Sequence, residues 1–192
     1  MKIIILTVFA ASSLLLYSTP SFAFSLSVGI PMSQTITGKQ AGKSYGNAPD
    51  KTSGYFLGVS FLSIGLGMDS YTTKFKTGNC NGCWGVGGDA GLKTNMTNIF
   101  LQLPVPVVNL IIGLGKGTTE YDCKYSFGDC SAFYDKGSAT QWYTSIGMPI
   151  IPFFDIHLSY RSITAKNIKN KDDGRKHDNS GSVTGVGIAL NF

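Results

Sequence analysis

The chain ends in SVTGVGIALNF, and counting back from Phe192 every second residue is apolar: Leu190, Ile188 and Val186 share its face, while Asn191, Ala189, Gly187 and Gly185 share the other. Successive side chains of a β-strand point to opposite faces, so this two-residue period predicts a strand with one apolar face. The second face carries small or polar residues and is not a core of large side chains.

The same count recovers further strands upstream. In FSLSVGIPM, Phe24, Leu26, Val28 and Ile30 alternate with Ser25, Ser27 and Gly29; in YFLGVSFL, Tyr55, Leu57, Val59 and Phe61 alternate with Phe56, Gly58 and Ser60. TNIFLQL, NLIIGLG, WYTSIGM and FDIHLSYR repeat the pattern, and IGLGMDSYTTKF repeats it more weakly through Leu66 and Met68. With the ending, this predicts eight strands. Composition agrees, with 24 Gly, 12 Phe, 9 Tyr and only 14% charged residues.

Connection lengths alternate. Tight connections are predicted around Ser63–Ile64, at Pro104–Val107 and at Pro149–Pro152. Proline suits such strand ends because no ladder donor is needed there. Long polar connections are predicted over Ser33–Gly54, Lys76–Lys93, Tyr121–Thr140 and Thr164–Gly181. This rhythm predicts an all-β fold, an eight-stranded antiparallel transmembrane β-barrel with long extracellular loops and short periplasmic turns. In hydrocarbon every backbone polar group must be paired, so a spanning sheet must close. Its outward face is then apolar, and its narrow interior takes Gly, Ser and a few polar side chains.

Residues 1–23 are read apart. Lys2, the apolar run Ile3–Leu16 and the small-x-small Ser21-Phe22-Ala23 predict a cleaved secretory signal peptide, leaving 24–192 as the barrel domain. The apolar run falls short of the roughly 20 residues that a spanning helix needs. The net charge of +5 is too small to argue nucleic-acid binding. Threading the strands up and down puts Tyr55, Trp142 and Tyr160 at the outer rim of the lipid face, and Phe24, Phe61, Phe154 and Phe192 at the inner rim. Two such aromatic girdles are favoured at membrane interfaces.

A terminal Phe192 preceded by Leu190, Ile188 and Val186 at two-residue steps resembles the assembly signal of outer-membrane barrels, read by the insertion machinery of Gram-negative bacteria. Residues 24–192 as a whole are similar to the OmpA/OmpX-like family of small barrels. The resemblance implies a cell outer-membrane location, contact with membrane lipid and lipopolysaccharide, and the barrel-assembly machinery as a partner in biogenesis. That family contains adhesins, structural proteins, small pores and lipid-modifying enzymes, so membership leaves function open.

Several constellations bear on chemistry. Cys80-x-x-Cys83 and Cys123-x₆-Cys130 fall in predicted loops two and three. Zinc and redox readings of such spacings exist. An exported, oxidising compartment instead favours disulfides, and local pairing, Cys80–Cys83 and Cys123–Cys130, costs less loop entropy than cross-loop staples. No metal or cofactor is called for. GKQAGKS and GLGKG are glycine-rich but lack the strand–loop–helix context of a phosphate loop.

In FDIHLSYR, Asp155, His157, Ser159 and Arg161 share the inward face. His157-x-Ser159 resembles the His-x-Ser of outer-membrane lipid A deacylases, which implies a serine nucleophile served by His157 and an acid such as Asp155. The other reading is a polar lumen plug in which Arg161 pairs with Asp155 or Asp69, with Gln102, Tyr143 and His157 filling in; buried charges need such partners. Loop four, AKNIKNKDDGRKHDNSG, holds Lys166, Lys169, Lys171, Arg175, Lys176 and His177 against Asp172, Asp173 and Asp178. It is a solvated loop or a contact for lipopolysaccharide phosphates, to which Lys116 on the lipid face could also snorkel. The expected role is structural, adhesive or ligand-recognising through the loops, toward an unidentified extracellular ligand. A lipid A-modifying enzyme and a small-solute pore are the alternatives.

Overall fold

The computed structural model describes residues 24–38, 49–75, 90–105, 107–125 and 128–192. The predicted signal peptide and the Cys80–Cys83 pair lie outside the described residues. Eight strands form one closed antiparallel barrel: β1 Phe24–Ile36, β2 Pro49–Phe61, β3 Ile64–Phe75, β4 Gly91–Val105, β5 Val108–Asp122, β6 Gly137–Ile151, β7 Phe154–Thr164 and β8 Gly181–Asn191. Each strand pairs with its neighbours in sequence, and β8 closes on β1.

The closure uses the ends of the described chain. Phe24 N donates to Phe192 O at 3.1 Å, Phe192 N donates to Phe24 O at 2.8 Å, and the two rings lie 6.3 Å apart. Following register partners round the barrel from Leu26 passes Val59, Leu66, Ile99, Leu114, Trp142, Ser162 and Ser182, and arrives at Thr35 rather than Leu26. A stagger of this kind obliges the strands to tilt against the barrel axis.

The predicted face assignment holds on every strand. Outward side chains such as Leu26, Leu57, Leu66, Ile99, Leu114, Ile146, Leu158 and Ile188 are 40–63% exposed. Their inward neighbours, among them Ser60, Asp69, Asn98, Gln102, Tyr143 and Arg161, are buried. Glycine fits where a large lumen side chain crosses a neighbouring strand. A Cβ at Gly113 would run into the Tyr143 ring, and one at Gly147 into the His157 ring.

The strand ends differ from expectation at the loop end. β1 runs past Ser33 to Ile36, β2 starts at Pro49, β4 at Gly91, and β6 at Gly137. These extensions carry Lys, Thr and Ser outward, so apolar alternation fails although backbone pairing continues. Inside, Thr52 bonds Thr73 at 3.0 Å, Thr73 bonds Gln34, and Thr94 bonds Thr119 at 3.2 Å. A bulge between Pro31 and Ser33 leaves the exposed Met32 as an extra residue and turns Gln34 into the lumen.

At the other end the turns are tight. Leu62 and Ser63 both have positive φ, +47° and +74°. That is the type I′ pattern, whose twist matches the strands it joins. Val107 and Phe153 also have positive φ, +79° and +70°, at a cost of about 1–3 kcal/mol for a non-glycine residue.

Candidate functional site

Two regions carry polar chemistry: the lumen and the loop end. In the lumen, Asp69 of β3 takes the centre. Arg161 of β7 donates to it through Nε at 3.0 Å and Nη2 at 3.4 Å, and Gln141 Nε2 of β6 donates to Asp69 Oδ2 at 2.6 Å. The guanidinium also lies 3.5 Å from the centroid of the Phe56 ring and 4.8 Å from that of Tyr143. Stacking on aromatic faces suits a weakly hydrated planar cation. Of the two pairings open to Arg161 from sequence, the fold forms the one with Asp69.

Asp155 is held separately, nearer the turns. Asn109 Nδ2 donates to its Oδ2, Asn191 Nδ2 does so at 2.8 Å, and His157 Nε2 stands 3.7 Å away. Gln102 joins this group, accepting from Ser60 Oγ at 2.9 Å and donating to Asn191 Oδ1 at 3.4 Å. Asn98, Asn109, Gln141 and Asn191 were missed in sequence. Asn98, Asn109 and Asn191 stand in the inward phase of a predicted strand, and Gln141 immediately precedes one in that phase, so phase with amide chemistry was the available signal.

The His-x-Ser pair is brought to the same face, but its partners differ from those of a nucleophilic couple. Ser159 Oγ donates to the Gly185 carbonyl at 3.2 Å, while His157 Nδ1 lies 3.3 Å from Ser145 Oγ. A nucleophilic serine needs its hydroxyl proton directed at the base, and here that proton is directed at a carbonyl. A cavity of about 50 Å³ lies among Ser145, His157, Ser159, Arg161 and Tyr143. It offers room for one or two waters. Arg161 Nη1 and His157 Nε2 have no hydrogen-bond partner among the described residues, although both atoms are buried. No group of three or more His, Cys, Asp or Glu side chains among the described residues is gathered to hold a metal ion.

At the loop end, the connections after β5 and β7 are stitched together. Tyr134 bridges Asn170, Asp135 N donates to Lys169 O at 2.9 Å, and Lys171 N donates to Phe133 O at 2.9 Å. Lys171 Nζ donates to Ser131 O at 2.6 Å. Cys123 and Cys130 are joined as a disulfide across Cα atoms 5.3 Å apart. The connection after β7 forms its own short ladder, Ile168–Lys169 with Lys176–His177, and buries Ile168 completely.

Around the ladder residue His177 the rings of Tyr121, Tyr134 and His177 meet edge to face at 4.9–5.9 Å. Tyr121 Oη lies 3.0 Å from His177 Nδ1. Burial holds the His177 imidazole below its ordinary value of 6.5, against the opposing charge of Asp173. In the same connection Lys166, Lys169, Arg175 and Lys176 are exposed.

A closed barrel with an apolar exterior and a polar interior spans a membrane. At the level of sequence, no family model and no curated protein matches this chain. At the level of structure it is similar to Neisserial surface protein A, at 12% identity, TM-score 0.62, and 88% and 97% coverage of this chain and of that one. It is also similar to the Escherichia coli outer membrane protein W, at 13% identity, TM-score 0.54, and 91% and 100% coverage. A third likeness is to Ail, the attachment invasion locus protein of Yersinia pestis, solved with the heparin analogue sucrose octasulfate, at 20% identity, TM-score 0.53, and 88% and 97% coverage. The fold is that of small outer-membrane β-barrels, and the apolar exterior agrees with an outer-membrane location.

Proposed function

We propose that this barrel is a surface-recognition protein whose loop end faces the medium and binds an anionic ligand. The observation that carries the reading is the two-loop platform, where Lys169 and Lys176 stand exposed on a braced ladder, with Lys166 exposed beside it and Arg175 paired with Asp173 at 3.3 Å. Bracing lowers the entropy lost when such side chains engage a ligand. The complex of Ail with a heparin analogue supports a sulfated saccharide as the first probe. In this reading residues 1–23 are the cleaved export signal, and Val186, Ile188, Leu190 and Phe192 form the insertion signal. Tyr55, Trp142 and Tyr160 mark one membrane interface, and Phe24, Phe61, Phe154 and Phe192 the other.

The test is calorimetric titration of the refolded barrel with sucrose octasulfate at two salt concentrations. Wild type should bind, more weakly as salt screens the charges, and a Lys166→Gln/Lys169→Gln/Lys176→Gln variant should bind less with a flatter salt dependence. No binding by wild type, or equal binding by the variant, overturns the reading.

A further inference from the structure

Five lysines stand on or beside the barrel wall at the loop end, and three of them, Lys51, Lys93 and Lys136, lie in segments that read as loop in the sequence. Lys51 of β2, Lys74 of β3, Lys93 of β4 and Lys116 of β5 are exposed, as is Lys136 just before β6. They fall on the four consecutive strands β2 to β5 and just ahead of β6, at the loop end and on the outward face. Lys51 and Lys74 are direct register partners. The acidic residues on this arc are Asp50 beside Lys51 on β2, Glu120, which is opposite Lys93 and pairs with Lys136 at 2.9 Å, and Asp122 at the end of β5; the lysines outnumber them. The strands that complete the ring, β7, β8 and β1, show Ser162, Thr164, Ser182, Thr184 and Thr35 in the outward phase at this end, and no lysine.

The turn end is the opposite case. Among the described residues, no Lys, Arg, Asp or Glu is exposed on the turn half of any strand, and the turns present Leu62, Val107 and Phe153 at 61%, 84% and 59% exposure. The positive charge of the wall therefore lies at one membrane interface and on one side of the barrel.

Lys116 is the deepest of the five. Its register partners are Thr97 of β4 and Thr140 of β6, both outward. One step toward the turns the outward row is Ile99, Leu114 and Trp142, an apolar surface that faces acyl chains. A molecule resting on this wall meets hydrocarbon contacts below and an ammonium flanked by two hydroxyls directly above. A soluble anion uses only the upper half of that surface. A lipid with a phosphorylated headgroup uses both.

We propose that Lys116, with Thr97 and Thr140, seats a phosphate of an outer-leaflet glycolipid, and that Lys93, Lys74 and Lys51 extend the seat along the same side of the barrel. An ammonium and hydroxyls are ordinary donors for phosphate oxygens, and long lysine stems can lie along the apolar wall while their heads reach the interface. The site is distinct from the loop platform, and either can stand without the other.

The test is native mass spectrometry of the refolded barrel with bis-phosphorylated lipid A, the same lipid with its phosphates removed, and inorganic phosphate. Wild type should retain the phosphorylated lipid over the other two. Lys116→Gln should weaken that retention about tenfold, as expected for one charge-assisted hydrogen bond. Thr35→Val, on the lysine-free side of the barrel, should leave it unchanged. A photo-crosslinking residue at Leu114, beneath the seat, should capture the lipid, and one at Ile30 on the opposite side of the barrel should not. Equal retention with and without phosphates, an unchanged Lys116→Gln variant, retention of free phosphate to the same degree, or equal capture at Leu114 and Ile30 each overturns the proposal.

Discussion

Along β7 the inward side chains are Asp155, His157, Ser159 and Arg161, and the outward ones are Ile156, Leu158 and Tyr160. One strand thus serves two solvents, and the rules on its faces are opposite. In the lumen a charge is tolerated because it is matched: Arg161 has Asp69, and Asp155 has the amides of Asn109 and Asn191. On the lipid face no matching is available, and apolar side chains can be exchanged for one another as long as none is charged. Specificity of partner therefore belongs to the lumen, and only hydrophobicity and depth belong to the exterior.

Arg161→Ala should break the comparison on its lumen side most severely. It leaves Asp69 buried with Gln141 as its remaining donor, which should cost about 3–5 kcal/mol, read as a lowered urea midpoint of the barrel folded in vesicles. A loss below about 1 kcal/mol, the range of exposed ion pairs, would show that the pair is solvated. On the exterior, Ile112→Arg at mid-wall should cost about 2–4 kcal/mol, and the same arginine at Thr118 near the loop rim about 0–1 kcal/mol. Equal costs at the two heights would mean that this wall does not face hydrocarbon.

The exterior was legible in the sequence because lipid demands the same thing at every outward position, so Leu26, Leu57, Ile99 and Leu158 all report it. The lumen was legible in phase but not in pairing. Nothing in the sequence distance between residues 69 and 161 says that β3 and β7 aim these two side chains at one point, since that depends on the barrel's stagger. The upper wall was hidden for a different reason: where Lys51, Lys93 and Lys136 face the interface, the period-two apolar signal stops before the hydrogen bonding does. The loop platform was hidden because Tyr121, Tyr134 and His177 lie far apart in sequence, in segments without periodicity.

The smallest effect should come from pH at that platform. His177 accepts or shares a proton with Tyr121 through Nδ1, and burial favours its neutral form. Because its value in the folded protein lies below the ordinary 6.5, the docked loops are fully favoured above that pH and lose stability as pH falls through it. Protection factors of residues 168–177, which divide out the intrinsic slowing of amide exchange in acid, should therefore fall between pH 7.5 and 5, the barrel strands staying protected and His177→Gln removing the trend. Protection factors that are flat with pH in wild type would remove His177 as the cause.

The lumen is a filled interior in which Arg161 is matched by Asp69 and Asp155 by Asn191. An eight-stranded barrel has an interior about wide enough for side chains alone, and here Phe56, Phe100, Tyr143 and Arg161 fill it. Planar-bilayer recording of the wild-type barrel beside Arg161→Ala tests this directly. Wild type should give no steady conductance, and the variant, with its Asp69 partner lost, should give intermittent openings. A steady open channel in the wild type would contradict the account.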